Sequence, residues 1–435
     1  MFLLAELTIN VISAGSYGVN GARLRFLLVP IASKLHGHRA VSDVLLKYHR
    51  VFNGVVTDVV GKVDDVSGVR ELPQDVVAYV VAVLTGGTEQ LITELSRRNV
   101  PTAVVAHSTH NSLAAAIEAL PLLKREGRPV ALFMLKNGVS KEVGVFLRAV
   151  LAYQVLKGSK VVLVGDPSPW LVYSSRQLDA LRKLLGLEVI KLSTDELLSK
   201  LEEVEDDAVE ELSKYFMHAE LAGVSEGDLR RALRVYVVLK SMLTRYGSKV
   251  LTIRCFDLMR VSTTACLALS ILNDEGYVVG CEGDVSALTT MAALSSISNS
   301  PTFMGNVSWV DGSRVLVTHC TVPTKLVGRF KLKTHFESGV GVSIEGWPRR
   351  GEEVTLARLD ALNKALRAGR AVVINEGPVT AYACRTQFLL GLKGSAEAVV
   401  SEPIGNHYVL APGNWVKHLK YLAELLELEF QELSK

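Results

Sequence analysis

The sequence predicts an α/β protein with two doubly wound domains, followed by a mostly antiparallel β-domain. Three observations support this prediction. Continuous apolar runs such as residues 77–84 and 161–164 are typical of parallel strands that are buried on both faces. From about residue 76 such runs alternate with helix-like segments across short connections. After about Pro301, short strand-like pieces replace this alternation.

The first domain is predicted to span residues 1–157. Its strand-like segments are 77–84, 102–106 and 129–135, and its helix-like segments are 88–98, 111–125 and 141–156. Residues 1–14 are also apolar, but they contain Glu6 and Asn10 and lack a basic leading region. We therefore expect a buried first strand there rather than a signal peptide.

The middle domain is predicted to span residues 158–298 and the C-terminal domain residues 299–435. The middle domain has strands at 160–165, 250–254 and 277–281, helices at 264–273 and 285–297, and a charged helical stretch at 192–249. The C-terminal domain has strands at 315–318, 326–333, 340–345, 353–359, 371–375 and 408–410, with a helix at 415–426. Such a series of short strands is typical of an antiparallel sheet or a barrel.

Composition excludes several classes of protein. Hydrophobic residues make up 49% of the 435, but no apolar run reaches the roughly 18 to 20 residues of a membrane helix. The net charge is +3 and the basic residues are scattered, so we expect neither a nucleic-acid nor a membrane partner. The five cysteines form no CxxC pair, which argues against a zinc cluster and indicates a reducing cytoplasm.

A candidate metal site lies where an apolar run ends in acids. Residues 278–281 are followed by Glu282 and Asp284, and two histidines, His319 and His407, adjoin later apolar segments. Ligands of open α/β sheets collect at the carboxyl ends of strands, and carboxylate with imidazole suits Mn, Fe, Co or Zn. The alternatives are an N-cap role for Asp284 and ordinary core positions for the histidines.

Two further residues, Arg254 and Trp170, lie at or just past strand ends. Either is a candidate for contact with a bound substrate, because loops converge at that edge of a sheet. The alternative is ordinary packing at the surface.

Four short motifs follow one another in a recognisable order. Residues 281–286 (CEGDVS), 301–306 (PTFMGN), 318–323 (THCTVP) and the pair Asn406 and His407 together resemble the L-fucose isomerase and L-arabinose isomerase superfamily. The resemblance extends from about residue 76 to the C-terminus. It implies two Rossmann-like domains and a β-barrel-like C-terminal domain.

The resemblance also implies an activity. Members of the superfamily interconvert aldoses and ketoses through an enediol, using a divalent metal that is commonly Mn²⁺. A small sugar is thus the expected substrate, and a homo-oligomer, a trimer or hexamer, is the expected assembly.

Individual roles follow from the matched positions. Glu282 corresponds to the glutamate that binds metal and moves a proton between C1 and C2. His407 and His319 correspond to metal-binding histidines, and Asn406 corresponds to an asparagine that contacts substrate.

The second acid of the superfamily is missing from this sequence. Asn306 stands where the fucose branch has aspartate, and Gly305 stands where the arabinose branch has glutamate. The amide oxygen of Asn306 can bind a metal, but it cannot accept a proton. Either His319 or Asp284 takes over the acid–base role, or the chain is a sugar-binding or regulatory relative without turnover. A different carbohydrate reaction is a further alternative.

Overall fold

The structure is a computed structural model that describes residues 25–216 and 219–433. It divides into two compact units. The first unit extends to Gln154 and includes Tyr421–Glu427, and the second contains Val155–Lys420 and the chain from Leu428 onward. The strand expected in residues 1–14 lies outside the described residues, and the three-domain division stays a prediction.

A five-stranded parallel sheet forms the centre of the first unit, in the order β2-β1-β3-β4-β5. The strands are β1 Phe26–Ile31, β2 Asp58–Val59, β3 Ala78–Val83, β4 Thr102–Ala106 and β5 Val130–Met134. The helices are α1 His38–Phe52, α2 Val66–Arg70, α3 Glu89–Ser96, α4 Ser112–Arg125 and α5 Val139–Leu156. Every residue of β1, β3 and β4 is buried, which explains why their sequences are apolar at almost every position.

The second unit begins with a four-stranded parallel sheet in the order β10-β9-β6-β7. Its strands are β6 Lys160–Val164, β7 Glu188–Leu192, β9 Val250–Ile253 and β10 Val278–Cys281. Its helices are α6 Leu178–Leu185, α7 Thr194–Glu202, α8 Asp206–Ser213, α9 Glu226–Tyr246, α10 Cys266–Asp274 and α11 Val285–Ser298. The predicted pair of doubly wound sheets is confirmed.

A six-stranded antiparallel barrel completes the second unit. Its strands are β11 Phe303–Asp311, β12 Arg314–His319, β15 Glu353–Asp360, β16 Ala365–Val373, β17 Thr386–Leu392 and β18 His407–Pro412. They pair in the order β15-β18-β11-β12-β17-β16, and β16 pairs back to β15, so the barrel is closed. The predicted β-rich domain is confirmed as a barrel, with Phe303, Phe388 and Tyr408 in its core.

Smaller elements complete the described chain. Strands β8 Glu220–Ala222, β13 Arg329–Lys333 and β14 Ser343–Trp347 form a separate three-stranded sheet, so two of the predicted C-terminal strands lie outside the barrel. The remaining elements are β19 Glu429–Glu432, which pairs with β16, and helices α12 Ala398–Ser401 and α13 Val416–Leu425. No described helix is long and apolar enough to cross a membrane.

Helix α11 links the parallel sheet to the barrel. Nearly all of its side chains are buried, so it is a core helix with no exposed face. Two hydroxyls tie it to β15: Ser286 Oγ donates to the Leu359 carbonyl oxygen at 2.6 Å, and Thr290 Oγ1 accepts from the Leu359 amide at 3.0 Å. The N-terminus of α11 is therefore held at a fixed place beside the barrel strands.

Candidate active site

A tight turn between β10 and α11 positions Glu282. Glu282 and Gly283 both have left-handed backbone conformations, with φ of 63° and 73°. The Glu282 carbonyl oxygen accepts a hydrogen bond from the Ser168 amide at 2.8 Å. A Cβ on residue 283 would lie 2.7 Å from Pro167 Cα, so only glycine permits this close approach. The neighbouring loop thus fixes the direction of the Glu282 side chain.

Glu282, His319 and His407 meet at one buried point. His319 ends β12 and His407 begins β18, so the barrel brings the two imidazoles to the β10–α11 turn. Glu282 Oε1 lies 3.8 Å from His319 Nε2 and 3.5 Å from His407 Nε2. One potential ligand atom from each residue falls within a 4.8 Å cluster. The structure therefore brings together three of the four predicted ligands.

Polar atoms in this cluster lack partners within the described protein. Both ring nitrogens of His319 and Nε2 of His407 are buried and make no hydrogen bond there. Buried polar atoms are nearly always satisfied, so the two unpaired Nε2 atoms that face Glu282 are suited to hold a ligand. A carboxylate and two imidazoles are a suitable donor set for a divalent transition metal. The geometry thus permits a divalent ion, as the sequence predicted.

The three side chains change one another's pKa. Burial would raise the pKa of Glu282, but His407 and His319, together with the hydrogen bond from Trp170, lower it to about 2. Burial lowers the pKa of His319 to about 4. Burial also opposes protonation of His407, yet Asp284 and Glu282 raise its pKa to about 9. Without a metal, the positive charge of the site therefore resides on His407.

A buried network orients His407. Asp284 Oδ2 lies 3.0 Å from His407 Nδ1, so the Nε2 atom is left facing Glu282. Asp284 is also the N-cap of α11, accepting from the Ala287 amide at 2.9 Å. Arg358 lies 3.5 Å from Asp284 Oδ2 and donates to the carbonyl oxygens of His407 and Ile404. Asp284 and Arg358 are both fully buried. Their charges thus serve to hold the histidine in place.

An open cavity of about 440 Å³ leads from the surface to Glu282. Its lining residues are Trp170, Phe256, Glu282, Asn306, Ser308, Thr318, Phe336, Glu337, Tyr382, Ala383, Cys384 and Asn406. Trp170 Nε1 donates a hydrogen bond of 2.6 Å to Glu282 Oε2. The indole thereby occupies one carboxylate oxygen and leaves the other facing the histidines.

The remaining predicted site residues differ in their positions. Asn306 and Asn406 both line the cavity, and Asn406 Nδ2 donates to Asn306 Oδ1 at 2.8 Å. Asp284 does not line it, because its carboxylate lies behind His407. Arg254 does not line it either, and its side chain pairs with Asp257 at 3.2 Å. The structure thus offers the two asparagines and Trp170, but not Arg254, to a molecule in the cavity.

Packing explains why residue 305 carries no acid. A Cβ at Gly305 would lie 2.8 Å from Phe303 Cε1 and 2.9 Å from the Thr318 carbonyl oxygen. The side-chain space at this position is therefore filled by the barrel itself. A glutamate here would require β11 and β12 to separate.

Sequence reasoning missed two residues of this region. Glu337 lines the cavity from the loop between β13 and β14, and nothing in its local sequence marks it. Arg358 had a detectable signal, because it is the one charged residue in the mostly apolar stretch 354–359. A lone charge in a buried strand indicates a buried partner, and here that partner is Asp284.

Comparison with known proteins is consistent with this geometry. A family model for the central domain of L-arabinose isomerase matches residues 175–300, which include Glu282 and α11. This match and the isomerase relatives described next support the L-fucose/L-arabinose isomerase-like superfamily. The predicted superfamily and the predicted enzyme class, a sugar isomerase, are confirmed at this level.

Individual relatives are distant. A sulfoquinovose isomerase of Clostridium sp. (strain MSTE9) is 23% identical over 73% of this chain and 75% of its own length. A sulfoquinovose isomerase of Priestia aryabhattai is 22% identical with the same coverage. An L-arabinose isomerase of Nocardioides sp. (strain ATCC BAA-499 / JS614) is 26% identical over 45% of this chain and 42% of its own length.

Proposed function

We propose that the protein is a divalent-metal-dependent aldose–ketose isomerase that acts through an enediol. The observation that carries this proposal is the buried cluster of Glu282, His319 and His407 at the inner end of an open cavity. Similarity to the superfamily suggests the reaction class, and the cluster supplies the chemical groups that such a reaction needs.

Glu282, His319 and His407 would hold the metal, with the amide oxygen of Asn306 as a fourth donor. The unpaired ring nitrogens of the two histidines fit this role. Mixed oxygen and nitrogen donors are compatible with Mn²⁺, which we propose as the ion. When bound, such an ion polarises the sugar oxygens O1 and O2 and thereby acidifies the C2 proton.

Glu282 is the proposed proton carrier. Its carboxylate takes the proton from C2 of the aldose and returns it to C1, while the O2 hydroxyl proton moves to O1. The intermediate between these transfers is the enediol. The low pKa of Glu282 keeps the carboxylate ionised at neutral pH, which a base requires. We propose His319 for the hydroxyl proton, because Asn306 cannot accept one. Asp284 lies behind His407 and can act only through that histidine.

Substrate contacts are proposed for residues that line the cavity. Asn406 is exposed beside Asn306, and its amide can donate to and accept from sugar hydroxyls. Trp170 offers an apolar face next to Glu282. Because the cavity is open, we also propose that a homo-oligomer, a trimer or hexamer, closes it with a neighbouring subunit.

A sugar-binding relative without turnover is the second candidate. The observation that favours it is Asn306, which replaces the acid of the fucose branch and is already hydrogen-bonded to Asn406. Such a protein would keep the metal cluster and the cavity but would not move the C2 proton.

Proton exchange tests the proposal. The purified protein is stripped with a chelator, reloaded with Mn²⁺, and incubated in deuterated water with pentoses and 6-deoxyhexoses. We expect metal-dependent exchange at C2, and a loss of at least about 10²-fold in Glu282→Gln. Glu352→Gln, which removes a carboxylate outside the cavity lining, serves as the matched control. Metal binding without exchange on any sugar would instead identify the non-catalytic relative.

A further inference from the structure

The charges that line the cavity are all negative. Its lining contains the carboxylates of Glu282 and Glu337, and no lysine or arginine from the described chain. Arg385 stacks its guanidinium on the lining residue Phe336, 5.6 Å from the ring centroid. Its hydrogen bonds go to the carbonyl and hydroxyl oxygens of Thr334. An anionic group in this cavity would therefore meet no lysine or arginine among the described lining residues.

The two carboxylates lie at different depths. Glu282 is 7% exposed and sits with the histidines at the inner end. Glu337 is exposed, as are Trp170 at 48% and Tyr382 at 92%, so these three form the mouth. A sugar whose C1 and C2 reach Glu282 must extend its far end toward that mouth. The Glu337 carboxylate would therefore lie beside the C5–C6 end of a bound sugar.

The negative charge of Glu337 would stay uncompensated even with a divalent cation at the inner end of the cavity. A divalent cation held by Glu282 and two neutral histidines would offset the charge of Glu282 but would lie away from the mouth. Burial raises the pKa of Glu337; the charge of His335 opposes the rise, and the charges of Cys320 and Glu282 add to it. The described groups around Glu337 therefore do not offset the negative charge of its carboxylate.

The loop that carries Glu337 is well fixed. The His335 amide donates to the Val340 carbonyl oxygen at 3.1 Å, and the Gly339 amide donates to the His335 carbonyl oxygen at 2.9 Å. The His335 ring also lies within hydrogen-bond distance of Ser338, at 3.2 Å between Nδ1 and Oγ. Glu337 therefore remains near the mouth and cannot easily withdraw from an approaching charge.

From this charge distribution we infer that Glu337 is a specificity-determining residue. Its carboxylate makes the site accept uncharged aldoses and reject sugars that carry a sulfonate or phosphate at C6. Specificity here comes from repulsion of the wrong substrate, because a like charge at a partly desolvated mouth disfavours binding. The inference rests on the proposed isomerase function. It separates this chain from its sulfoquinovose isomerase relatives, whose named substrate is a sulfonated sugar.

Paired substrates test the inference in the Mn²⁺-loaded protein. The C2 exchange rate is measured for a neutral aldohexose and for its 6-sulfo and 6-phospho counterparts. We expect kcat/KM to favour the neutral sugar by about tenfold or more, as for a like charge at a partly exposed site. In Glu337→Gln the ratio of anionic to neutral kcat/KM should rise about tenfold, and in Glu337→Lys it should rise further.

The matched control is Glu352→Gln, which removes the same charge outside the cavity lining and should leave this ratio unchanged. Preference of the wild type for an anionic sugar would overturn the inference, as would an unchanged ratio in Glu337→Gln. An equal loss of kcat on both kinds of sugar would also overturn it, because that result identifies Glu337 as an acid–base group.

A binding measurement separates this inference from the proposed function. Calorimetry compares a neutral hexitol with the corresponding hexitol 6-phosphate, neither of which can be isomerised. Tighter binding of the neutral hexitol, lost in Glu337→Lys, supports charge selection even if no sugar is turned over. Tighter binding of the phosphate refutes charge selection whether or not the protein is an isomerase.

Discussion

The buried Asp284–Arg358 pair lends itself to a quantitative test with Asp284→Asn. The asparagine keeps the shape of the side chain and an oxygen for the α11 cap, but it removes the charge. Arg358 is fully buried and would lose its carboxylate partner at 3.5 Å, while His407 would lose the carboxylate at 3.0 Å. Removing one partner of a buried ion pair costs about 3 to 5 kcal/mol. We expect about 3 kcal/mol, because Arg358 keeps its carbonyl and hydroxyl partners.

The assay is thermal unfolding in the presence of chelator. A loss of about 3 kcal/mol corresponds to a fall of roughly 6 to 12 °C in the Tm of a unit of this size. Mn²⁺ affinity should fall about tenfold or more, because the group that orients a metal-binding histidine contributes that much. Both effects arise from one substitution that touches no ligand atom.

Asp228→Asn is the matched control for this substitution. Asp228 lies in the first turn of α9, where it completes a capping box with Ser225, but it is not part of the site. We expect its loss to cost at most about 1 kcal/mol and to leave Mn²⁺ affinity unchanged. The reasoning is refuted if Asp284→Asn unfolds within about 0.5 kcal/mol of the wild type and binds Mn²⁺ equally well.

Two further predictions concern strand β11. Asn306→Asp should tighten Mn²⁺ binding several-fold in calorimetry, because a carboxylate replaces an amide beside His407 in the strand pairing. No change would mean that residue 306 does not bind the metal, and Asn406→Asp serves as a nearby control for added charge. Gly305→Ala should destabilise the apoprotein by about 1 to 3 kcal/mol in chemical denaturation, because its Cβ meets Phe303 and Thr318. A neutral result would show that the strands can separate locally, and Gly61→Ala, where the added Cβ meets nothing within 4 Å, controls for glycine replacement itself.

Two strands that the sequence predicted well, β3 and β4, are buried on both faces and almost entirely apolar, so their sequences identify them without tertiary information. β1 is buried in the same way but was not predicted. β11 and β17 were missed, because each has a mixed sequence in which barrel contacts rather than local pattern determine the structure. The beginning of β16 was also missed, since Arg367 interrupts its apolar pattern. That arginine is buried only because the carbonyl oxygens of Ala398 and Glu402 accept its hydrogen bonds.

The sequence predicted part of the candidate site, just as it predicted some of the strands and missed others. Glu282, His319 and His407 adjoin apolar strands, and their order along the chain resembles a known superfamily, so the sequence marks them. The position of Glu337 depends on how the loop after β13 folds over the cavity, which no local pattern encodes. Arg254 shows the opposite case. It follows a strand as the others do, yet its side chain pairs with Asp257 and lies outside the cavity lining.

The left-handed backbone of Glu282 has a consequence for how the protein could evolve or be engineered. A φ of 63° is unfavourable for glutamate by about 1 to 2 kcal/mol, whereas glycine adopts it freely. As far as the backbone is concerned, Glu282→Gly would relieve strain while deleting the carboxylate. Variants chosen only for heat resistance would then drift toward losing the proposed proton carrier. Only selection that also rewards turnover would keep a glutamate at this turn.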